Sequence, residues 1–532
     1  MDHEQPKGWV RGLFRIGPVG LAAVFIACGQ PDQIPPRSSE FDGKAVALGE
    51  RAIFYGAESE DSAGGLAVGD FNGDGSLDLA LSAGLADGPN NERPDGGEIY
   101  LFLGPFQPGE ERDAAAGDQD VTVYGASAED QAGRALAAGD LNGDGFDDLA
   151  IGALFADGPD EGRRDAGEVY VIFGSADLPP IVDLAEADDH TVIFGADAED
   201  LAGFAVEMAD VNGDDLADLI VGAFWADGPD NARPRAGEAY VMFGEERPPS
   251  IVDLAAGDGD VVICGAEAED RLGEALGSGD VNGDEIQDLL LPAPFASGPN
   301  NAREEAGETY IVFGSDSLPA TIDLAADQSD VTILGIDPGD QVGHSLASGD
   351  INGDGFDDVV LGAVSADGPA NGRELAGEAY LVLGGDSLQT VVDLGANEGA
   401  MISYGADSGD RLGRTVAVGD LNGDQRGDLL LAAPGGGERE GRPAAGKVFI
   451  VLGGNAVPVM IDLAMADTDM AMVGDDRRDI LAHNSFGRLS LLAVDMNGDG
   501  LDDVVVSAPN GDGPGNERRD AGEAYVVFVE ES

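Results

Sequence analysis

An all-β fold is predicted: a seven-bladed β-propeller of four-stranded antiparallel blades, the last blade closed by the N-terminal strand. Three observations predict it. The first is an acidic nine-residue loop that recurs seven times, starting at Asp70, Asp140, Asp210, Asp280, Asp350, Asp420 and Asp495. Six starts are spaced 70 residues apart and the last interval is 75. Units of that length bury their apolar faces only by packing on neighbours. The second observation is a taper. Each loop follows a strand of small residues, such as Leu66-Ala67-Val68-Gly69 or Leu346-Ala347-Ser348-Gly349. Inner strands converging on a channel need little volume, whereas a linear solenoid has no such taper. The third is the pair of chain ends. The last unit stops after its third strand, Ala524 to Phe528, and the missing fourth stands at the start, where Ala52-Ile53-Phe54-Tyr55-Gly56-Ala57 matches Val192-Ile193-Phe194-Gly195-Ala196. Pairing the two closes the ring and removes its exposed edges.

The second unit shows the order of elements. Arg134 to Gly139 is the small first strand, the loop from Asp140 follows, and Leu149 to Ala153 is the second strand. A polar loop with Asp157-Gly158-Pro159 and Arg163 leads to Val169-Tyr170-Val171-Ile172-Phe173, whose β-branched and aromatic residues favour a strand. A connector carrying Ile181-Val182-Asp183-Leu184-Ala185 reaches the fourth strand, Thr191 to Phe194. Four short strands per unit, repeated radially, are the pattern of a propeller blade.

Composition narrows the partners. Lys plus Arg number 28 against 103 Asp plus Glu, a net charge of −75, which repels nucleic acid and anionic membrane. The 43% hydrophobic content and periodic apolar runs argue for a folded chain despite that charge. Cys264, in Val261-Val262-Ile263-Cys264, reads as a small buried residue.

The N-terminus reads as an export signal. Lys7, Arg11 and Arg15 precede an apolar run, Ile16 to Ala27, that is too short to span a bilayer. Phe25-Ile26-Ala27-Cys28 is similar to a bacterial lipobox, which makes Cys28 the expected lipidation site, with a plain secretory signal as the alternative. Residues 1–28 are thus a signal peptide, 29–45 a tether containing Pro31, Pro35 and Pro36, and 46–532 the propeller. An outer-membrane or cell-surface lipoprotein is expected, or a secreted protein, monomeric, touching membrane only through a lipid anchor.

The loop has the donor spacing of a Ca²⁺ site. Carboxylates come from position one, the seven starts above, from position five (Asp74, Asp144, Asp214, Asp284, Asp354, Asp424, Asp499) and from position nine (Asp78, Asp148, Asp218, Asp288, Asp358, Asp428, Asp503). Position three supplies an amide oxygen from Asn72, Asn142, Asn212, Asn282, Asn352, Asn422 or Asn497. Position seven supplies a main-chain carbonyl, from Ser76, Phe146, Leu216, Ile286, Phe356, Arg426 or Leu501. Ca²⁺ accepts six to eight such oxygens at flexible geometry, whereas Mg²⁺ prefers strict octahedra with water, so up to seven Ca²⁺ are expected. An EF-hand is excluded, because its position-twelve Glu is replaced by Ile151 inside a strand. Position six is Gly in four loops but Asp215, Glu285 and Gln425 in the others. If the backbone turns there with positive φ, a β-carbon costs about 1 kcal/mol. Weaker binding is therefore expected at Asp280 and Asp420, with Asp210 intermediate.

These motifs resemble the FG-GAP repeat family, the seven-bladed propeller of integrin alpha heads and of many bacterial exported proteins. The family pattern of Phe-Gly, the acidic loop and Gly-Ala-Pro is kept in part by Ser485-Phe486-Gly487 and Ser507-Ala508-Pro509, and by Ala432-Ala433-Pro434. The resemblance implies that the loops bind Ca²⁺ on the lower face while partners dock on the opposite one.

On that opposite face a recurring Arg (Arg93, Arg163, Arg233, Arg303, Arg373, Arg442, Arg518) and a recurring acid (Asp61, Asp130, Asp200, Asp270, Asp340, Asp410) read as inter-blade salt bridges. Departures from the repeat mark a candidate ligand face instead: Arg439 in a shortened loop, Lys447 in place of Glu, and Arg477, Arg478 and His483 in the longest connector. The four histidines show no metal spacing and no nucleophile elbow accompanies them. The expected function is a binding or adhesion module for a protein or glycan. A hydrolase or lyase at the channel mouth is the alternative, which a cluster of titratable groups around His483 would favour. A structural envelope component is a third.

Overall fold

A computed structural model describes residues 46–531 except 187–189, 397, 400, 438–440, 456, 466–467, 475–477 and 484–489. The expected signal, tether and Cys28, together with Arg439 and Arg477, lie outside the described residues. Seven sheets form the blades. Blade one pairs Gly65–Gly69, Asp78–Ala83, Glu98–Phe102 and Val121–Tyr124 antiparallel in chain order. Blade seven takes Leu491–Val494, Asp503–Ala508 and Glu523–Glu531 from the C-terminal end and Val46–Tyr55 from the N-terminal end. Ala52 pairs with Val526 and Phe54 with Ala524, the predicted closure.

The second strand of each blade is buried along its whole length, as Asp148–Ala153 shows. Its two faces meet the two neighbouring blades, so apolar residues cluster between blades rather than within them. One core joins Phe54, Val505 and Val526 of blade seven to Leu66, Leu79 and Tyr100 of blade one. The next joins Ile99 and Val123 of blade one to Leu149 and Ile151 of blade two. The inner strands are partly open, and those of blades seven, one, two and three line a cavity of about 210 Å³.

The expected four-stranded blade is incomplete. In six blades a fifth, parallel strand is added by the connector of the following unit. Ile181–Asp183, read from sequence as a linker, lies beside Thr122 to Tyr124 of blade one. A three-residue strand carries too short an alternation to be recognised alone, and its partner edge belongs to another repeat. Glu111–Asp113 does the same for blade seven by pairing parallel with Ile53 to Tyr55. Blade six keeps four strands. Its fifth strand would come from a connector between strands three and four of blade seven, and those two strands come from opposite ends of the chain.

Candidate metal centres and the opposite face

The acidic loop is held by its first aspartate. Asp140 Oδ1 accepts from the N–H groups of Gly143 (2.7 Å) and Asp144 (3.1 Å), and Oδ2 from Gly145 (2.9 Å). Asn142 Oδ1 accepts from Asp144 N–H, and Asp144 Oδ1 from Phe146 N–H. Position six has positive φ in every loop: 87° at Gly145, but also 68° at Asp215, 69° at Glu285 and 64° at Gln425. The backbone conformation is therefore common to all seven, and three loops carry the β-carbon cost expected from sequence.

Position four is glycine for a further reason. A β-carbon on Gly73 would stand 2.4 Å from Phe146 Cε1 of the next blade's loop. Gly283 faces Phe356 in the same way, at 2.5 Å. The position-seven side chain thus covers the preceding loop, and Asp147 N–H donates to Asp70 O (3.1 Å) while its Oδ2 accepts from Asp70 N–H (2.8 Å).

Position nine has a task the sequence did not disclose. Asp148 is fully buried; its Oδ2 accepts from Leu141 N–H (3.1 Å) and its Oδ1 from Gly174 N–H (2.9 Å). It buckles the loop to the end of the third strand. Asp78, Asp218, Asp288, Asp358 and Asp428 make the same two bonds.

Among the described residues no three His, Cys, Asp or Glu side chains stand close enough to hold a metal ion. The donor chemistry nevertheless fits a hard divalent cation. Burial, reinforced by the carboxylates at positions one and five, pushes Asp78 and Asp148 up to about 7, a cost that a cation would remove. Among the described residues, one candidate ligand atom, Asn422 Oδ1, is buried without a hydrogen-bond partner.

Six of the seven loops fall into two groups by the position-three amide. Asn72, Asn142 and Asn497 turn their oxygen to the N–H of position five. Asn212, Asn282 and Asn422 instead donate through Nδ2 to the position-nine carboxylate. These last three belong to the loops without glycine at position six. In the loop from Asp420, Arg426 also stands 3.3 Å from Asp424, a cation already in place.

The opposite face corrects the expected ion pairs. Arg163 reaches Asp253 at 2.6 Å, Arg233 reaches Asp323 at 2.6 Å and Arg303 reaches Asp393 at 2.7 Å. Each acid stands at the end of a fifth strand, not in the row of Asp61, Asp130, Asp200 and Asp270. In that row burial with neighbouring acids raises Asp61, Asp130, Asp200, Asp270 and Asp340 to about 7. The arginine pairs do join successive units, as expected, through different acids.

Of the proposed ligand face, Arg478 is exposed and His483 half-buried. Lys447 has a packing explanation. Other blades place a Glu there that accepts from a Tyr hydroxyl two residues on, as in Glu98 and Tyr100. Blade six replaces both, and Lys447 Nζ lies 4.4 Å from the Phe449 ring centre.

A cluster that sequence reading missed occupies the channel mouth. The residue six before the loop is Arg134, Phe204, Glu274, His344 and Arg414 in blades two to six. His483 takes this place in blade seven, since Ala482 N–H donates to Ser507 O as Gly133 N–H does to Gly152 O. Arg414 Nη1 lies 2.6 Å from His344 Nε2, and His344 Nδ1 is 3.7 Å from Glu274 Oε1. Burial and the adjacent Arg414 lower His344 to about 3, and burial raises Glu274 to about 7. The available signal was the failure of this position to repeat, beside glycines that do (Gly133, Gly203, Gly273, Gly343, Gly413).

Comparison with known proteins agrees with the architecture. The FG-GAP repeat family matches residues 62–102, 132–172, 342–382, 412–451 and 487–527, in blades one, two, five, six and seven. A phosphatidylinositol-glycan-specific phospholipase D from Bos taurus is 35% identical over 182 residues, covering 33% of this chain and 20% of the relative. The Homo sapiens protein of that name is 27% identical over 71% of this chain and 43% of its own length. Integrin alpha pat-2 of Caenorhabditis elegans is 30% identical over 32% of this chain and 13% of its own. The chain thus spans less than half the length of these relatives.

Proposed function

We propose that this chain, a seven-bladed β-propeller built from FG-GAP repeats, is a calcium-stabilised binding or adhesion module that works outside the cell. The observation that carries this reading is the contrast between its faces. The loop face repeats the hydrogen bonds of its first aspartate blade after blade, as a structural device does. The opposite face varies at the channel mouth, where Arg, Phe, Glu and His stand at one repeat position. Specific recognition needs such asymmetry, and a fold requirement repeated seven times does not. Relatives named as integrin alpha subunits support the same reading.

Within it, Asp70, Asp140, Asp350 and Asp495, with the Asn and Asp at positions three, five and nine, hold Ca²⁺ most tightly. The ion supplies charge neutralisation to three carboxylates crowded in one loop. The partner, a protein or a glycan, docks on the opposite face, and a lipid at Cys28 anchors the monomeric module. The test is thermal melting with Ca²⁺ and with EDTA, followed by a glycan and protein binding screen in both conditions. An unchanged melting temperature removes calcium from the proposal, and a screen without hits removes the binding role.

The Glu274–His344 pair favours a second reading, a hydrolase or lyase at the channel mouth, because a carboxyl near neutrality beside a neutral imidazole suits proton transfer. Turnover of glycoside or ester substrates that is lost in Glu274→Gln is its requirement; equal rates in both proteins exclude it.

A further inference from the structure

Four buried polar atoms on the upper face of blades three to five lack any hydrogen-bond partner among the described residues: Trp225 Nε1, Arg271 Nε, Glu274 Oε2 and His344 Nδ1. Native proteins leave few such atoms, and each needs an explanation. These four come from three successive blades. Arg235 lies over the Trp225 ring at 4.9 Å and reaches Glu269 at 3.7 Å, which sets Trp225 beside the connector carrying Arg271. Arg271 in turn covers the Phe295 ring at 4.0 Å. Glu274 and His344 face each other at 3.7 Å, with 13% and 15% of their side chains exposed.

The atoms differ in kind. Arg414 can only donate to His344 Nε2, so the ring proton sits on Nδ1, and three of the four atoms are donors. Glu274 Oε2 is an acceptor. A hydroxyl accepts through its lone pairs and donates through its hydrogen, so one hydroxyl set between His344 and Glu274 satisfies both. Several hydroxyls on one rigid frame would answer all four. Beside them the repeat position fifteen residues after the loop start carries Phe155, Trp225 and Phe295 in blades two to four, but Ser365 and Gly435 in the next two. These half-buried aromatics give an apolar wall next to the polar groups. An apolar wall beside unpartnered polar atoms is the make-up of a small-ligand site.

We propose that the channel mouth over blades three to five is a saccharide site, in which Trp225, Arg271, Glu274 and His344 hydrogen-bond the hydroxyls of a sugar seated against Trp225 and Phe295. This rests on the binding-module reading and narrows it to one ligand class and one place. It also moves the ligand face away from Lys447 and Arg478.

The test uses the full chain with Ca²⁺ bound. Its tryptophans are Trp9 and Trp225, and only Trp225 lies among the propeller residues, so intrinsic fluorescence reports the site. The probes are cellobiose, lactose, mannobiose, diacetylchitobiose and digalacturonate, with glycerol as a polyol lacking a ring. A saturable fluorescence change with at least one disaccharide and none with glycerol is expected. Glu274→Gln and His344→Phe should each weaken it about tenfold, the loss of one buried hydrogen bond; Glu274→Gln should keep the parent melting temperature, whereas His344→Phe, which also takes the acceptor from Arg414, should lower it. Trp225→Phe should weaken binding similarly in calorimetry. No response to any probe overturns the saccharide site, as does equal affinity in Glu274→Gln; a crystal structure with water alone between Glu274 and His344 in saturating disaccharide overturns it too. If such a result came with hits elsewhere in the glycan and protein screen, the binding-module reading would stand without this site; no hits at all would remove both.

Discussion

Arg518 Nη2 stands 2.7 Å from Asp113 Oδ1, an ion pair between the two ends of the ring. The contact is off the line of a hydrogen bond, but Arg518 Nη1 donates to Gly56 O (2.7 Å) and Ala57 O (3.0 Å). One guanidinium therefore holds the N-terminal strand and the parallel strand that covers it. Arg93, Arg163, Arg233, Arg303 and Arg373 do the same between units that are already covalent neighbours. At the seam there is no such link, so the pair helps to close the ring itself.

Arg518→Met should accordingly lower stability by about 1–3 kcal/mol, since it strips partners from two carbonyls and a carboxylate. Chemical denaturation measures it. A double-mutant cycle with Asp113→Asn should return a coupling of about 1 kcal/mol. Zero coupling would mean that Asp113 is only a bystander.

Glu285→Gly and Gln425→Gly should each stabilise the protein by about 1 kcal/mol, because φ is positive at both positions. The gain should appear in EDTA as well as in Ca²⁺. If glycine helps only when Ca²⁺ is present, the backbone is not the cause.

Gly73→Ala should be destabilising by roughly 1–3 kcal/mol, from the positive φ and the approach to Phe146. Adding Phe146→Ala should recover part of the loss by opening that space. A double variant no better than the single would show that φ alone sets the cost.

The metal-free protein should lose stability as pH rises from about 4 to about 7. Asp61, Asp130, Asp200, Asp270 and Asp340 have folded values of about 7 against an ordinary 3.8, because burial opposes their ionisation. Between those limits the folded state binds more protons than the unfolded chain. Stability from these groups is therefore complete below pH 4 and lost through pH 7. Melting temperatures in EDTA from pH 4 to 8 measure the slope, and Asp130→Asn should flatten it. A melting temperature that rises with pH would contradict the sign.

By itself, the sequence determined the blade count, the strands, the loops and the closure by Val46–Tyr55. These follow from local rules that each repeat restates: apolar alternation, glycine where the backbone turns left-handed, and carboxylates spaced around a nine-residue turn. It also marked Asp215, Glu285 and Gln425 as the positions under strain. Tertiary structure decided what lies between repeats. Asp183 meets Arg93 across 90 residues of chain, and Ile181–Asp183 becomes a strand only on a neighbour's edge. Asp148, a candidate ligand from sequence, is also a backbone buckle because the third strand ends beside it. The channel mouth formed in the same way, because Glu274, His344 and Arg414 stand 70 residues apart in sequence and touch only when the ring sets equivalent positions side by side. A local pattern fixes conformation; it does not encode the through-space register in which one unit meets the next.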